Sequence, residues 1–442
     1  MRMLYQRCAG LDVHKRTVVA CRLRVSEQGV VEQEVQTFGT MTGELLQMVD
    51  WLLAWEVTQV AMESTGEYWK PVYNLLEGNV EVVLVNAQHV KHVPGRKTDV
   101  QDAEWLAELL SYGLLKASFI PAKPQRELRD LTPGTRWVRR KLVEERARLV
   151  NRAQKVLEGA NIKLASVATD VLGVSGRLML EALVAGQRDP AELAELAKGR
   201  LRSKLPQLRQ ALSGVVDEHH CFLLAHQLAH IDFLDGEIEE MGQEIARRVE
   251  TMSQPTPPAP ATDETSAAAA AAATTPTWQA AVTLLDSAPG VDVKAAEAVL
   301  AEMGINMRQF PSPDHLAAWA GVAPGNNESG GKRRPSRSRR GNRALRTLLI
   351  QIAWAAVRTK GSYCQALYRR LAARRGKKRA IVAVAHHLVI AFHYMLDRQQ
   401  PYHDLGADYF DQRNKQFKVD RLLHLLTKLG YAATIEPLAA AT

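Results

Sequence analysis

An α/β domain followed by a mainly helical region is the fold class this sequence predicts, on three observations. Strand-like and helix-like segments alternate through the first part of the chain, as in a sheet with helices packed on its faces. From about Trp137 the pattern changes to long helices, with Leu142, Leu149 and Val156 recurring every seven residues. Between Gln254 and Pro276 the chain turns Pro-, Thr- and Ala-rich, with alanine at every position from Ala267 to Ala273, which reads as a linker.

Taken in order, Thr17 to Val25 and Val30 to Phe38 are rich in β-forming residues, with a turn at Gly29 between them, and Leu45 to Trp55 is helix-like. Gln59 to Met62 is a strand before a helix near Tyr68 to Leu76. Glu81 to Val85 is a nearly continuous apolar strand, and a helix from Val100 to Leu115 closes the set. In the helical part, Leu224, Leu228, Ile231, Leu234, Ile238, Met241, Ile245 and Val249 fall at threes and fours. They indicate a coiled coil or helical hairpin, and self-association and an intramolecular bundle fit equally well. Past the linker, Leu284 to Val291 followed by a helix from Ala295 to Met303 is reminiscent of a helix-hairpin-helix element. The expected domains are 1–125, a helical region 126–253, the linker 254–277, a second domain 278–400 and a tail 401–442.

Four carboxylates stand at the edges of these elements. Asp12 follows the apolar start Ala9-Gly10-Leu11, Glu63 ends the strand-like run Gln59 to Met62, and Asp99 and Asp102 open a helix, where a spacing of three puts both on one face. Phosphoryl transfer asks for hard cations that neutralise charge on the attacking and leaving oxygens, and carboxylates are the ligands magnesium prefers. Each acid also has a structural explanation. Asp99 and Asp102 suit the first turn of a helix, Asp12 suits a surface turn, and Glu67 lies close enough to Glu63 to be mistaken for it.

Composition narrows the partners. The 442 residues exceed one core, and 57 Lys plus Arg against 48 Asp plus Glu give a net charge of +9, a lean toward polyanions. Cys8, Cys21, Cys221 and Cys364 form no C-x-x-C pair, so neither a disulfide framework nor a structural zinc site is expected. Arg2, Arg7 and Asp12 interrupt the N-terminus, so no secretory signal is expected. The nearest approach to a membrane span, Ala380 to Leu396, contains His386, His387 and His393 and reads as a buried helix.

After Glu328 no acidic residue appears until Asp397, while Lys332, Arg333, Arg334, Arg337, Arg339, Arg340, Arg343 and Arg346 crowd the start of that interval. A later cluster adds Arg369, Arg370, Arg374, Arg375, Lys377, Lys378 and Arg379. A solvated face mixes signs, so binding to a nucleic-acid backbone is the better account. Just before the cluster, Asn326-Asn327-Glu328-Ser329-Gly330-Gly331 places a serine among glycines that permit close approach of a phosphate, although polar Gly-rich turns are commonplace.

With these residues in view, the chain resembles DEDD transposases of the insertion-sequence-110 family, relatives of the Piv and MooV DNA invertases. The resemblance rests on Gly10-Leu11-Asp12-Val13, Met62-Glu63-Ser64-Thr65-Gly66 and Gly95 to Ala103 in the N-terminal half. In the C-terminal half it rests on Pro289-Gly290, Phe310, Ala318 to Gly321, Pro324, Glu328-Ser329-Gly330, Gly341-Asn342-Arg343 and Leu345-Arg346. It implies a RuvC-like, RNase H-type domain whose tetrad Asp12, Glu63, Asp99 and Asp102 binds Mg2+ or Mn2+. It further implies that Ser329 attacks DNA to form a phosphoserine, with the tetrad assisting from the same or another subunit. The implied partners are double-stranded donor and target DNA, a structured non-coding guide RNA from the element, and further copies in a homodimer or homotetramer, with no membrane. The implied location is the bacterial cytoplasm, at the nucleoid. A RuvC-type endonuclease that uses water as nucleophile is the rival reading, and a non-catalytic nucleic-acid-binding factor is a third. The chain departs from its relatives in the linker, the extended helical middle and Pro133-Gly134, which break an expected basic helix.

Overall fold

The structure, a computed structural model, describes residues 3–26, 30–64, 66–85, 99–132, 138–254, 275–325, 328–329, 331–333, 338, 341–413 and 415–432. The chain divides into two units, Met1–Pro121 and Ala122–Thr442.

In the first unit a five-stranded sheet has the order β3-β2-β1-β4-β5. Strands β1 (Arg7–Val13), β2 (Thr17–Val25) and β3 (Val31–Gly39) form an antiparallel meander, and β4 (Gln59–Glu63) and β5 (Glu81–Val85) add in parallel on the other side of β1. The parallel additions require crossovers, supplied by α1 (Thr42–Leu53) and α2 (Trp69–Leu76). Alternation along each strand sorts the side chains. Ala9, Leu11, Val13, Val60 and Met62 pack with Leu45, Met48, Leu52, Val72 and Leu76 of the two crossover helices. On the opposite face Cys8, Cys21, Ala61 and Val85 pack with Ala103, Leu106, Ala107 and Leu110 of α3 (Asp99–Ser111). The mixed sheet with helices on its faces is therefore present as expected. Helix α3 is shorter than Val100 to Leu115 because Gly113 turns the chain at φ +68°. Arg22, although only 7% exposed, pairs with Glu34 across the strands and stacks on Trp51 and Trp55 at 4.0 and 4.2 Å, which satisfies its charge at the sheet surface. Burial pushes the Cys8 and Cys21 thiols up to about 12, and among the described residues all four cysteines are free.

The second unit is helical. It opens with α4 (Lys123–Leu131) and α5 (Val138–Gly159), and residues 133–137, where the Pro-Gly break was expected, lie outside the described residues. Short helices α6 (Leu164–Val167), α7 (Val174–Val184), α8 (Pro190–Glu195) and α9 (Leu205–Ala211) follow. The 36-residue α10 (Glu218–Ser253), about 54 Å long at 1.5 Å per residue, is capped by Asp217, whose carboxylate accepts the His220 N–H. Helices α5 and α10 run antiparallel within the chain. Leu149 packs on Ile231 and Leu234, Arg146 pairs with Asp235, and Gly159 lies near His220. The seven-residue repeat is thus used, at least on this face, for an intramolecular hairpin. Most of the expected linker, residues 255–274, lies outside the described residues.

The remaining helices are α11 (Trp278–Asp286), α12 (Val293–Met303), α13 (Pro313–Trp319), α14 (Arg343–Ala356), α15 (Tyr363–Arg375), α16 (Lys377–Arg398), α17 (Tyr409–Arg413) and α18 (Lys415–Lys428). A short hairpin of β6 (Glu328–Ser329) and β7 (Lys332–Arg333) precedes α14. Helix α16 is the one described helix long and apolar enough to cross a membrane by length and composition, but Ile381, Val384, Leu388, Val389 and Phe392 are buried in the core of this unit. Burial holds His386, His387 and His393 below the usual histidine range, which keeps them neutral in that setting. At the turn reminiscent of a helix-hairpin-helix, Asp292 caps α12 by accepting the Ala295 N–H. Gly290, at φ +78°, packs where a Cβ would lie 2.4 Å from the Ala356 nitrogen, so this glycine serves contact with α14.

Candidate functional site

The close passage of α3 over β1 brings the acidic residues together. A Cβ on Gly10 would lie 2.2 Å from the Ala103 carbonyl oxygen and 2.5 Å from the Ala107 nitrogen, so glycine alone permits this crossing. Two residues on, Asp12 projects from the same face of the sheet, toward the first turn of α3, which carries Asp99 and Asp102. Glu63 ends β4 one residue past Met62, the partner of Leu11, and shares that face with Ala61. The α3 crossing therefore sets Asp99 and Asp102 over Asp12 at the C-terminal end of β1, and strand register places Glu63 at the C-terminal end of the neighbouring β4. Glu67, the near neighbour of Glu63, lies in the following turn and pairs with Lys70 at 3.1 Å.

Asp12 has 13% of its side chain exposed, whereas Asp99 has 61%. Burial raises the Asp12 carboxyl above the ordinary aspartate range, and Asp99 and Asp102 add to the rise, against a lowering contribution from His14. His14 was not singled out from sequence. Its Nε2 lies 3.1 Å from Asp12 Oδ2 and 3.4 Å from Asp99 Oδ2, and these three residues offer donor atoms within 4.8 Å of one another. The signal that could have found it is alternation, since a residue two past Asp12 returns toward the same side. Oxygen donors from two carboxylates at this spacing fit a hard divalent cation, which would be held by Asp12 and Asp99. Gly10→Ala is expected to push α3 off the sheet and destabilise this unit by about 1–3 kcal/mol, as overpacking does. Thermal denaturation together with divalent-ion binding checks this, and an unchanged Tm with intact ion binding would contradict the close-contact account.

The serine lies in the second unit. Ser329 pairs with Lys332, and Glu328 with Arg333, across a tight turn that contains Gly331 at φ +72°. Only the backbone of Lys332 and Arg333 is described, and Arg334, Arg337, Arg339 and Arg340 lie outside the described residues. The two ends of the segment carrying this hairpin meet. A Cβ on Gly341 would lie 2.4 Å from the Gly321 nitrogen, and the Asn342 N–H donates to the Trp319 carbonyl at 2.8 Å. Asn342 then caps α14, its Oδ1 accepting the Ala344 and Leu345 N–H groups at 3.0 Å, while its Nδ2 donates to Glu302 Oε2 at 2.7 Å. Glu302 is fully buried, with Arg129 at 3.7 Å. Sequence reading passed over Glu302 because it stands inside the apolar run Ala298 to Met303. Its removal takes the acceptor from Asn342 Nδ2 and the counter-charge from Arg129, whose guanidinium still donates to the Ala301 and Glu302 carbonyls, so Glu302→Leu is expected to cost about 1–3 kcal/mol of stability, measured by denaturant unfolding. A cost below about 1 kcal/mol would show that the anchor is idle.

Arg343 and Arg346 occupy the first turn of α14, where the helix field disfavours cations, and no acidic residue shares that turn. Such placement costs stability unless an anion is bound there. The later basic cluster brackets Gly376 at the junction of α15 and α16, and its members from Arg374 to Arg379 are exposed.

Two family models match the chain. One, described as a transposase of the DEDD type of IS110, covers residues 9–162, and the other, the transposase IS116/IS110/IS902 family, covers residues 282–369. Among similar proteins, the transposase for insertion sequence element IS1111A of Coxiella burnetii is 26% identical over 366 residues, 80% of this chain and 82% of that one. A probable family 20 transposase of Pseudomonas aeruginosa is 27% identical over 304 residues, 68% of this chain and 71% of that one. The first match contains Asp12, Glu63, Asp99 and Asp102 and the second contains the serine hairpin and its anchor, so both halves point one way: the chain belongs to the IS110 family of transposases.

Proposed function

We propose that the protein is the transposase and site-specific DNA recombinase of a mobile insertion sequence, cutting and rejoining DNA through a phosphoserine at Ser329. What supports the reading is the approach of Asp99, in the first turn of α3, to Asp12 at the end of β1, allowed by Gly10, with Asp102 in the same turn and Glu63 ending the neighbouring β4. In this reading the first unit is a RuvC-like catalytic domain. Bound Mg2+ or Mn2+ would supply Lewis-acid stabilisation of charge on the scissile phosphate and the leaving oxygen.

The Ser329 Oγ forms a bond to phosphorus as the bond to one deoxyribose oxygen breaks, the serine proton passes to a base, and the leaving oxygen is protonated. A strand hydroxyl then attacks the phosphoserine and restores the diester. Phosphodiester energy is kept in the covalent link, so rejoining needs no ATP. Lys332, Arg333, Arg334, Arg337, Arg339, Arg340, Arg343 and Arg346 hold the nucleic-acid backbone. A structured guide RNA encoded by the element reads donor and target by base pairing, which leaves the protein to recognise backbone shape. The protein works in the cytoplasm, at the nucleoid.

The test is to purify the protein with its flanking non-coding transcript, add donor and target DNA with Mg2+, and seek a covalent adduct mapped to Ser329 by mass spectrometry. Hydrolysed ends without an adduct would favour attack by water. Mixing Asp12→Ala with Ser329→Ala protein is expected to restore activity if subunits share a site, and no rescue would place the site within one chain. Arg343→Gln with Arg346→Gln is expected to weaken duplex binding and reduce the slope of log K against log salt by about 2, near 0.9 for each phosphate that is no longer neutralised. An unchanged slope would remove these two arginines from the interface.

A further inference from the structure

We propose that His14 is a nitrogen ligand of the cation site, so that the site favours Mn2+ and other transition-metal dications over Mg2+. The inference rests on the reading of the acidic sheet edge as a metal site. His14 Nε2 faces two carboxylates at once, 3.1 Å from Asp12 Oδ2 and 3.4 Å from Asp99 Oδ2. Two donors at about 2.1 Å from one ion and at right angles to each other stand about 3 Å apart, so both separations are those of neighbouring ligands on an octahedral centre.

The ring does not reach this place by chance rotation of a free loop. The His14 N–H donates to the Thr17 carbonyl at 2.9 Å and closes the turn between β1 and β2, and the Asp12 backbone beside it is held opposite Val19. The His14 ring is within hydrogen-bond distance of Asp12 Oδ2 and also faces Asp99 Oδ2. Here a single nitrogen is placed between oxygens from a strand end and from a helix N-terminus, two elements whose approach depends on Gly10. Carboxylate and water oxygens suit Mg2+, whereas imidazole nitrogen suits transition metals and adds little for Mg2+. A site of carboxylates plus one imidazole is thus tuned toward the softer ions. The chemistry of the ligand is that of a divalent transition-metal ion, and Mn2+ is the probe.

The experiment uses the full-length protein and reads metal rather than turnover. Mn2+ is titrated by electron paramagnetic resonance into the parent, His14→Gln and Asp12→Asn proteins, with Mg2+ affinities from competition, and electron spin echo modulation reports nitrogen bound to Mn2+. Expected are 14N modulation in the parent, its loss in His14→Gln, and Mn2+ affinity lower by about tenfold there while Mg2+ affinity moves by less than about threefold. Mn2+ binding that depends on Asp12 but shows no nitrogen modulation, or that tightens in His14→Gln, overturns the assignment of His14 and leaves the carboxylate site standing. Mn2+ binding indifferent to Asp12→Asn overturns both.

Discussion

Ser329→Ala is expected to abolish the covalent protein–DNA adduct and to lower strand exchange by at least about 10³-fold, the scale on which loss of an activated nucleophile is felt. Nucleic-acid affinity is expected to change by less than about twofold. Alanine adopts the extended backbone of β6 as readily as serine, and Gly331, at φ +72°, is left in place. The anchor at the base of the segment, Gly341 against Gly321 and Asn342 on Glu302, is likewise untouched. Adduct trapping on denaturing gels and filter binding separate the two effects. Recombination that persists in Ser329→Ala would transfer the attack to water and sink the phosphoserine mechanism.

Asp12→Asn is expected to abolish strand cleavage, and its effect on stability has the opposite sign. Burial raises the Asp12 carboxyl, with Asp99 and Asp102 adding to the rise and His14 opposing it. An acid with a raised folded pKa binds its proton more tightly folded than unfolded. Its contribution to stability is therefore full below the unfolded carboxyl range and is lost as pH climbs through the folded value. In chelator at neutral pH the ionised Asp12 thus weighs against the fold, and the asparagine variant should melt higher than the parent. Divalent ion reverses the order. At a hundred times its Kd an ion adds about 2.7 kcal/mol to the parent and nothing to a variant that cannot bind it. Melting curves with chelator, Mg2+ and Mn2+ test this. An equal metal-induced shift in both proteins would dissociate Asp12 from the ion.

The N-terminal unit was legible because a half-buried strand declares itself by alternation and a crossover helix by its apolar stripe. Thr17 to Val25 and Glu81 to Val85 are strands with the bounds expected, and α3 opens at Asp99 with both acids in its first turn. Helix ends were less legible, as at α3, because Gly113 stops it through a backbone angle that no periodicity encodes. The coiled-coil pattern stated that α5 and α10 had apolar seams but not where their partners lay, since a seam looks alike whether its mate is in the same chain or another. Here Leu149 meets Ile231 and Leu234 of the same chain.

By itself the sequence determined where the residues capable of this chemistry stand and in what order: four acids at element ends, a serine among glycines and an acid-free basic block. Those features follow from residue type and local spacing, which the chain carries along its length. Only tertiary structure decided that Gly10 is the notch into which α3 settles, that His14 stands between Asp12 and Asp99, and that a buried Glu302 holds Asn342 at the base of the segment carrying the serine hairpin. Each joins residues brought together by sheet register, helix crossing or core burial. Such contacts arise from packing between segments distant in sequence, and no local pattern records them.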